Sequence, residues 1–280
     1  MPEPTLVHQV ELSAPPVDVA TDHAAARVLV RLHGMPLGFL DLPVADGVLT
    51  ASAIHVAAAD QLDVAGHLVG DGLTDVHAPL PEEGFGCRAG GPYPAPPGVS
   101  VVLCTRDREE LLRTALTSVI AALGPADEVV VVDNAPGTPA TRSVVADLAD
   151  PRVRYVLEAR QGLSVAHNSG ARAARGALIA FTDDDDVVVD ADWVAGLTRG
   201  FTRAARVGCV LDWFVRTLHH GFALAYEPGA IVWHRHRRDL DDLRDQLYGY
   251  GTGLTAYLFK HALTRRGAVD LSRRLARVRS

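Results

Sequence analysis

The sequence predicts an α/β fold, with a mainly parallel sheet flanked by helices and a small α+β module in front of it. Three observations lead to this prediction. From residue 99 onward, short apolar runs typical of strands buried on both faces alternate with segments of helical spacing. The connections between these segments are short, as in α/β proteins. Upstream, residues 25–78 combine an alternating apolar pattern with a helical one.

Length and composition are those of a globular chain. The 280 residues, 48% of them hydrophobic and 22% charged, suffice for one large domain or for a medium domain with a small companion. The net charge of −7 argues against a nucleic-acid partner. Three widely spaced cysteines suggest neither a metal cluster nor a disulfide framework, which favours a reduced, cytoplasmic protein. We find no signal-peptide pattern and no run approaching the roughly 20 apolar residues of a membrane span.

The N-terminal quarter of the chain predicts a small module. Residues 1–24 lack a clear period and are predicted to be a loose arm. Over residues 25–78, alternating apolar residues around a Gly-Met-Pro-Leu-Gly turn at 34–38 predict a hairpin, and helical spacing follows. A unit of this size is near the lower limit for independent folding, so we expect it to lean on the larger domain. Residues 79–98 are rich in Pro and Gly and predict a linker.

The larger domain is predicted to span residues 99–260. Its predicted strands are 99–105, 127–135, 152–158 and 177–182, and its predicted helices are 107–123, 138–149 and 162–176. Asp107, with Glu110 three residues later, is the expected cap of the first helix, and Ser164 that of the third. In such sheets ligands bind outside the carboxyl ends of the strands, so chemistry is expected there.

Four adjacent acids follow the strand at 177–182. Carboxylates this close raise one another's pKa, and a divalent cation would relieve the repulsion. Mg²⁺ and Mn²⁺ prefer such oxygen ligands, usually together with phosphate oxygens. A solvated acidic turn that caps the next helix is the alternative. The position at the strand end, and a second acidic strand end at Asp133, favour a metal–diphosphate site.

Several motifs occur in order and carry a family resemblance. The segments "VSVVLCTRDREELL", "EVVVVDNA" and "RQGLSVAHNSGARAARGALIAFTDDDD" resemble the nucleotide-binding half of the family-2 inverting glycosyltransferases, over residues 99–200 and again over 211–258. The resemblance implies a GT-A-like, Rossmann-type sheet. It also implies metal-dependent transfer of a sugar, with inversion, from a nucleotide-diphosphate sugar to an acceptor hydroxyl. The cofactor would be Mn²⁺ or Mg²⁺, and the acceptor is unknown.

The resemblance also assigns contacts to the donor nucleotide. The residues are Thr105, Arg106, Asp107, Asp133, Arg160, Gly162, Asn168, Asp183 and Asp184. Asp133 would accept the imide N–H of uracil or thymine, which favours a UDP- or dTDP-sugar, although a helix cap or turn is its alternative. Arg160 and Gly162 precede a helix whose N-terminus could face phosphate, and Asn168 would buttress that loop. Asp184 is expected to meet the ribose.

Metal ligands are expected from the acidic run and from a later histidine. Asp183 and Asp185 match the two acids of the family's D-x-D motif, with Asp185 the first choice for the metal. Because the four acids are consecutive, the register is open by one residue and Asp186 stays an alternative. His234 is the expected third ligand, either to the metal or to the diphosphate, with His236 as runner-up and a purely structural histidine also open.

Three arginines are further candidates for the site, and one nearby aromatic residue is not. Arg235, Arg237 and Arg238 could lend charge to a departing diphosphate. Trp193 is expected to pack in the core rather than to stack on a sugar.

One departure from the family pattern lies near Val210 and Leu211. The family normally carries several tens of residues there, including a Glu-Asp pair whose Asp is the general base. Here "FTRAARVGCV" runs directly into "LDWFVR", which leaves Asp212 as a weak candidate base. Either a segment is missing from the sequence as written, or the chain is truly shorter here and catalysis is in doubt. Adjacent Cα atoms more than about 3.8 Å apart at the junction would indicate missing residues.

Two other functions and one surface contact remain open at this stage. Nucleotidyl transfer also needs acids and a metal, but the loop "CTRDREELL" lacks the glycines typical of its phosphate loop. A non-catalytic nucleotide-sugar-binding relic is the other alternative. The basic tail at 261–280 is either a solvated helix or a peripheral contact with the inner face of an anionic membrane.

Overall fold

A computed structural model describes residues 4–70, 72–78, 98–203 and 229–234, with the single positions 240, 244, 248 and 255. Within these residues, no helix is both long enough and apolar enough to cross a bilayer.

The N-terminal module is a small sheet packed against two helices. In chain order it contains β1 (Leu6–Glu11), β2 (Val19–Ala20), β3 (Ala25–Leu32), β4 (Met35–Pro43), β5 (Val48–Leu49), α1 (Ala51–Gln61) and α2 (Val64–Gly70). A three-stranded sheet has the order β1–β3–β4, and β2 pairs with β5. β1 runs parallel to β3, whereas β3 and β4 form an antiparallel hairpin. Apolar side chains of the sheet and of α1 form one core.

The prediction of a loose arm over residues 1–24 is wrong for β1 and β2. His8 lies between Leu6 and Val10 on the same face of β1, so the apolar alternation is interrupted in the sequence. Tertiary contacts hold the strand instead. The Glu11 carboxylate accepts hydrogen bonds from the backbone N–H groups of His33 at 2.7 Å and of Gly34 at 2.8 Å, which ties β1 to the hairpin turn.

The hairpin turn also differs from the predicted one. The turn is the residue pair His33 and Gly34, with φ of 53° and 80°, which suits the right-handed twist of the two strands. The segment 35–38, predicted to belong to the turn, continues as β4. Pro36 is tolerated there because β4 is an edge strand, where a missing N–H need not break the ladder.

The larger domain confirms the predicted α/β class. Its elements are β6 (Val99–Thr105), α3 (Glu109–Ala122), β7 (Glu128–Asn134), α4 (Ala140–Leu148), β8 (Val153–Glu158), α5 (Leu163–Ala173), β9 (Leu178–Asp183), β10 (Asp186–Val188), α6 (Trp193–Arg203) and β11 (Val232–His234). Four parallel strands have the order β8–β7–β6–β9. A short antiparallel pair, β10 with β11, follows.

Helices cover both faces of the parallel sheet because successive strand residues point to opposite faces. Val101 and Leu103 of β6 pack with the buried face of α3, and Trp193 of α6 joins the same core. Val102 and Cys104 face the other way and pack with Ala166 of α5. The whole of β6 is therefore buried, as its continuous apolar run predicts.

Gly170 allows α5 to lie close to the sheet. A Cβ atom at this position would overlap Cγ1 of Val102 and lie 3.0 Å from Cγ2 of Val132. We expect Gly170→Ala to destabilise the protein by about 1–3 kcal/mol through overpacking, although alanine is the better helix former by about 1 kcal/mol. Urea unfolding measures the change.

Gly70→Ala is the matched control, since a Cβ at the end of α2 meets no atom within 4 Å. A Gly170→Ala protein as stable as the wild type would show that α5 can move away from the sheet at no cost.

One buried ion pair joins the N-terminal module to the larger domain. Arg31, which is 4% exposed, places Nη1 2.7 Å from Oδ1 and Nη2 2.7 Å from Oδ2 of Asp190. Nη2 also donates to the Gly34 carbonyl at 2.8 Å. Asp190 lies between β10 and α6. The module is thus in direct contact with the segment that follows the acidic run, in line with the expectation that it leans on the larger domain.

Candidate active site

The carboxyl ends of the parallel strands border a cavity of about 490 Å³. Its lining comes from the ends of β6, β7 and β9, the start of α5, and β11. The lining residues are Cys104, Thr105, Arg106, Arg108, Asn134, Leu163, Ala166, Asp183, Asp184, Asp185 and His234. The predicted edge of the sheet therefore carries the acidic run, and the structure brings His234 to it from more than 40 residues downstream.

Strand pairing explains the arrival of His234. β9 ends at Asp183, the chain turns through the next two acids, and Asp186 begins β10. β10 pairs with β11 so that Asp186 lies opposite His234. The turn is fixed locally, because Oδ2 of Asp186 accepts hydrogen bonds from the Thr182 hydroxyl at 3.0 Å and from the Asp183 N–H at 3.1 Å.

Asp185, Asp186 and His234 could together hold a metal ion. Ligand atoms of the three residues all lie within 4.8 Å of one another. The His234 Nδ1 is 2.9 Å from Oδ1 of Asp186 and 3.4 Å from Oδ1 of Asp185. The expected set of Asp183, Asp185 and His234 is thus only partly brought together. Asp186, the alternative in the register, lies in the group, whereas Asp183 lines the cavity outside it.

The charges of this cluster are only partly balanced. Loss of hydration, and then the neighbouring carboxylates, of which Asp186 comes first, raise the pKa of Asp183 above its usual value. Burial alone would lower the pKa of His234, but its hydrogen bond with Asp186 and the nearby acids raise it overall. A cation among these groups would relieve the repulsion between the acids, so the donor set suits a divalent metal.

Asp184 occupies a different environment from its neighbours. It is 5% exposed, and Oδ2 accepts a hydrogen bond from the Thr105 hydroxyl at 2.7 Å, while Oδ1 accepts one from Nη1 of Arg108 at 2.9 Å. Burial raises its pKa, against the opposing effects of Thr105 and Arg108. Both carboxylate oxygens are held by the protein, so this placement does not favour the ribose contact expected for Asp184.

The loop after β6 differs from the expected helix cap. Arg108, not Asp107, is the N-cap residue of α3 and makes no side-chain cap bond. Asp107 has a left-handed φ of 51°, and its carboxylate accepts from the Gly137 N–H at 2.9 Å, which joins the loops after β6 and β7. Arg106 lines the cavity, and its contact with a nucleotide stays a prediction. Similarly, α5 begins after Gly162, so Ser164 lies inside the helix and is not its cap.

Asp133 is completely buried and is not among the described residues that line the cavity. Its Oδ2 accepts a hydrogen bond from the Tyr155 hydroxyl at 2.8 Å. Burial raises the pKa of Asp133, against the hydrogen bonds from Tyr155 and Thr141, and the pKa of Tyr155 rises to about 12. The next residue, Asn134, faces the cavity instead. A contact between Asp133 and a nucleobase stays a prediction, and this conformation does not provide it.

Asn134 and Glu158 hold the loop before α5, and the sequence analysis missed both. The Asn134 Nδ2 donates to the Arg160 carbonyl at 2.7 Å, and its Oδ1 accepts from the Gly162 N–H at 2.8 Å. Glu158 accepts from the backbone and guanidinium of Arg160 and from the Ser169 hydroxyl. The Arg160 side chain is 71% exposed and pairs with Glu158 outside the described cavity lining.

Asn168 lies exposed on α5, so the bracing expected of it comes from other residues. An Asn directly after an acidic strand end could have drawn attention to Asn134, because its amide can donate and accept at once.

The Glu158 pair gives a pH-dependent prediction. Hydrogen bonds from the Arg160 guanidinium, the Ser169 hydroxyl and the Arg160 N–H lower the pKa of Glu158 from its usual 4.5 to about 2. A carboxyl with a lowered pKa stabilises the fold above its unfolded-state pKa, and this contribution disappears as pH falls through the folded value. We therefore expect Glu158→Gln to lower the Tm at pH 7 and the deficit to shrink between pH 4.5 and 2.

Thermal melts by circular dichroism at several pH values measure the deficit. Glu110→Gln, on the exposed side of α3, is the control. A Glu158→Gln deficit that is the same at pH 7 and pH 3 would show that the ionised carboxylate is not what braces the loop.

The side chains of Trp193 and Cys104 have structural roles. Trp193 is 4% exposed within the larger core, which confirms its expected packing role. Burial, and then the charges of Asp183 and Asp184, raise the pKa of the Cys104 thiol to about 12, so it is a neutral group at the cavity wall.

Several expectations fall on residues outside those described. They concern Asp212, Arg235, His236, Arg237 and Arg238, the Val210–Leu211 junction, the linker at 79–97 and the tail at 261–280. These stay predictions.

The larger domain is similar in sequence to a known protein family and to individual proteins. The family model for "Glycosyl transferase family 2" matches residues 100–263. The succinoglycan biosynthesis protein ExoO of Rhizobium meliloti (strain 1021) is 40% identical over 93 residues, which are 33% of this chain and 26% of that protein. The O-antigen biosynthesis protein RfbC of Myxococcus xanthus is 31% identical over 181 residues, which are 61% of this chain and 14% of that protein.

Among solved structures, the mannosyltransferase PcManGT from Pyrobaculum calidifontis in complex with GDP-Man and Mn²⁺ matches with 29% identity and a TM-score of 0.37. That match covers 41% of this chain and 36% of the other. The chain thus spans well under half the length of these relatives. The family model, however, matches more than half of this chain, and it does so over the strands and acidic run that build the cavity. The chain belongs to glycosyl transferase family 2.

Proposed function

We propose that this chain transfers a sugar from a nucleotide-diphosphate sugar to an acceptor hydroxyl, with inversion and with a divalent cation bound. The observation that carries the proposal is the meeting of Asp185, Asp186 and His234 at the ligand-binding edge of the sheet. The cavity beside them, about 490 Å³, falls within the range of roughly 300–1,000 Å³ that small-molecule sites occupy.

The residues present suit Mn²⁺ or Mg²⁺, held by Asp185, Asp186 and His234. Two carboxylates and an imidazole favour Mn²⁺, because Mg²⁺ prefers oxygen ligands alone. When bound, the cation would supply positive charge to the diphosphate leaving group.

Other residues of the chain would bind and orient the donor. α5 begins at Leu163, which lines the cavity, so the positive end of its dipole lies beside the donor space. The Asn134 hydrogen bonds hold the loop that leads into this helix. Leu163 is 55% exposed and offers an apolar surface for a base or sugar ring. The donor would therefore lie between α5 and the acidic turn.

Deprotonation of the acceptor hydroxyl requires a carboxylate on the other side of the donor. Asp212 is the candidate in the sequence, and it falls outside the described residues. The proposed step is a single displacement: the acceptor oxygen bonds to the anomeric carbon, the bond to the diphosphate breaks, and the acceptor proton passes to the base. Inversion follows from such a displacement.

Isothermal titration with UDP, dTDP and GDP, with and without Mn²⁺, followed by hydrolysis assays on the matching nucleotide-sugars, tests the proposal. We expect Mn²⁺-dependent binding of at least one nucleoside diphosphate and slow hydrolysis of a matching donor. The absence of Mn²⁺-dependent binding in all three titrations would contradict the proposal. Binding without turnover of any donor would favour a non-catalytic relic.

A further inference from the structure

Arg108 lies against the acidic turn, although no sequence motif singled it out. It sits at the start of α3 and lines the same cavity as Asp185 and His234. Its Nη1 donates to Oδ1 of Asp184 at 2.9 Å and lies 3.5 Å from Oδ2 of Asp185. A fixed positive charge is therefore built into the wall of the proposed donor site.

Arg108 is anchored by a buried carboxylate. Asp184 is buried and is itself held by the Thr105 hydroxyl at 2.7 Å. Because a buried carboxylate without a partner is costly, we expect the ion pair with Arg108 to be kept when the diphosphate binds. Asp184 thus positions the guanidinium at the cavity wall.

The rest of the guanidinium remains available. Within the described residues, its hydrogen bonds use Nη1 alone, and its Nε and Nη2 groups have no protein acceptor. The side chain is 28% exposed at a cavity-lining position. A guanidinium presents its N–H donors as a planar fork that matches phosphate oxygens.

Asp185 lies between His234 and Arg108. Its Oδ1 faces His234 and the proposed metal ligands, whereas its Oδ2 faces Arg108. A diphosphate in this cavity would meet the cation on one side of Asp185 and the guanidinium on the other. Without both charges the acidic run would repel it.

We propose that Arg108 binds the diphosphate of the nucleotide-sugar directly, as a second, fixed cation anchored by Asp184. The inference rests on the proposed function and adds a residue to the donor site. A purely structural role, in which Arg108 only holds the metal-binding carboxylates in place, predicts a different result in the following experiment.

The test compares wild type, Arg108→Gln and Arg108→Lys, with Arg113→Gln as the control on the exposed side of the same helix. Mn²⁺ affinity without nucleotide is measured by electron paramagnetic resonance. The affinities for UDP, dTDP and GDP, and for the monophosphates UMP, dTMP and GMP, are then measured by calorimetry at saturating Mn²⁺. Circular dichroism melts confirm that each variant is folded.

For Arg108→Gln we expect the affinity for the nucleoside diphosphate to fall about tenfold or more, with a much smaller loss for the monophosphate. Arg108→Lys keeps the charge but not the fork, so its affinity should be intermediate. The Mn²⁺ affinity of Arg108→Gln should be unchanged or higher, because a positive charge that repels the cation has been removed.

Two outcomes would overturn the inference. One is diphosphate affinity in both variants within about twofold of wild type, well short of the loss expected for a charge-assisted contact. The other is Mn²⁺ affinity that falls in parallel with diphosphate affinity, which would show that Arg108 acts only by holding the metal ligands. Failure of the proposed function is seen separately, in the wild type, as absent Mn²⁺-dependent binding of UDP, dTDP and GDP, and it would remove the basis for this inference too.

Discussion

Replacing Asp185 with alanine should abolish Mn²⁺-dependent nucleotide binding while the fold is retained. Asp185 is the acid whose two oxygens face both His234 and Arg108. Loss of residues that only support metal ligands costs about 10–100-fold in metal affinity, so we expect loss of a ligand to cost at least about 100-fold. Electron paramagnetic resonance of Mn²⁺ and calorimetry with nucleoside diphosphate measure both affinities.

The fold should survive this substitution because Asp185 lies in the turn after β9, outside the apolar core. Removing one of several mutually repelling carboxylates should leave the Tm unchanged or slightly raised. Asp147→Ala is the control, since Asp147 is an exposed acid of α4 paired with Arg113. Unchanged Mn²⁺ affinity in Asp185→Ala would contradict the metal assignment.

Replacing Arg31 with methionine should destabilise the whole chain by about 3 kcal/mol. The substitution leaves the Asp190 carboxylate without its partner, and breaking a buried pair on one side typically costs about 3–5 kcal/mol. We place the effect at the low end because the Asp190 side chain is 22% exposed and can be partly hydrated. Urea unfolding measures the free energy.

A double-mutant cycle makes this prediction specific. Arg31→Met combined with Asp190→Asn removes both charges and should recover much of the lost stability. Arg113→Met breaks an exposed pair with Asp147 and should cost no more than about 1 kcal/mol. Equal losses for Arg31→Met and Arg113→Met would show that the module does not depend on the Arg31–Asp190 contact.

The parallel sheet could be predicted from the sequence because its signal is local. The run of apolar residues at 99–105 is buried on both faces, and the observed strand has the same bounds. The other three predicted strands of this sheet are also present, with ends shifted by one residue or so. The edge of the sheet at which chemistry should occur follows from the direction of these strands alone.

The missed features depend on contacts between distant parts of the chain. β1 is held by a parallel partner and by hydrogen bonds that the Glu11 carboxylate accepts from the hairpin turn, neither of which leaves a period in its own sequence. The grouping of Asp186 with His234 depends on the pairing of β10 with β11. The metal ligands among the four consecutive acids can be chosen only when the pairing of β10 with β11 is known.

The direction of side chains at the strand ends explains the remaining differences between the predicted and the observed site residues. Asp133 and Asn134 are neighbours in sequence, yet one points into the protein toward Tyr155 and the other toward the cavity. A shift of one residue therefore exchanges a buried acid for a lining amide. Asp184 and Asp185 both line the cavity, but Thr105 and Arg108 bind the two carboxylate oxygens of Asp184, whereas Asp185 lies between Arg108 and His234.

Anomalous diffraction from crystals grown with Mn²⁺ and a nucleoside diphosphate tests the central claim most directly. The account predicts one strong Mn²⁺ peak bounded by the side chains of Asp185, Asp186 and His234, with the diphosphate between that peak and Arg108. A Mn²⁺ peak elsewhere in a nucleotide-bound crystal, with these three side chains paired only to protein groups, would contradict it.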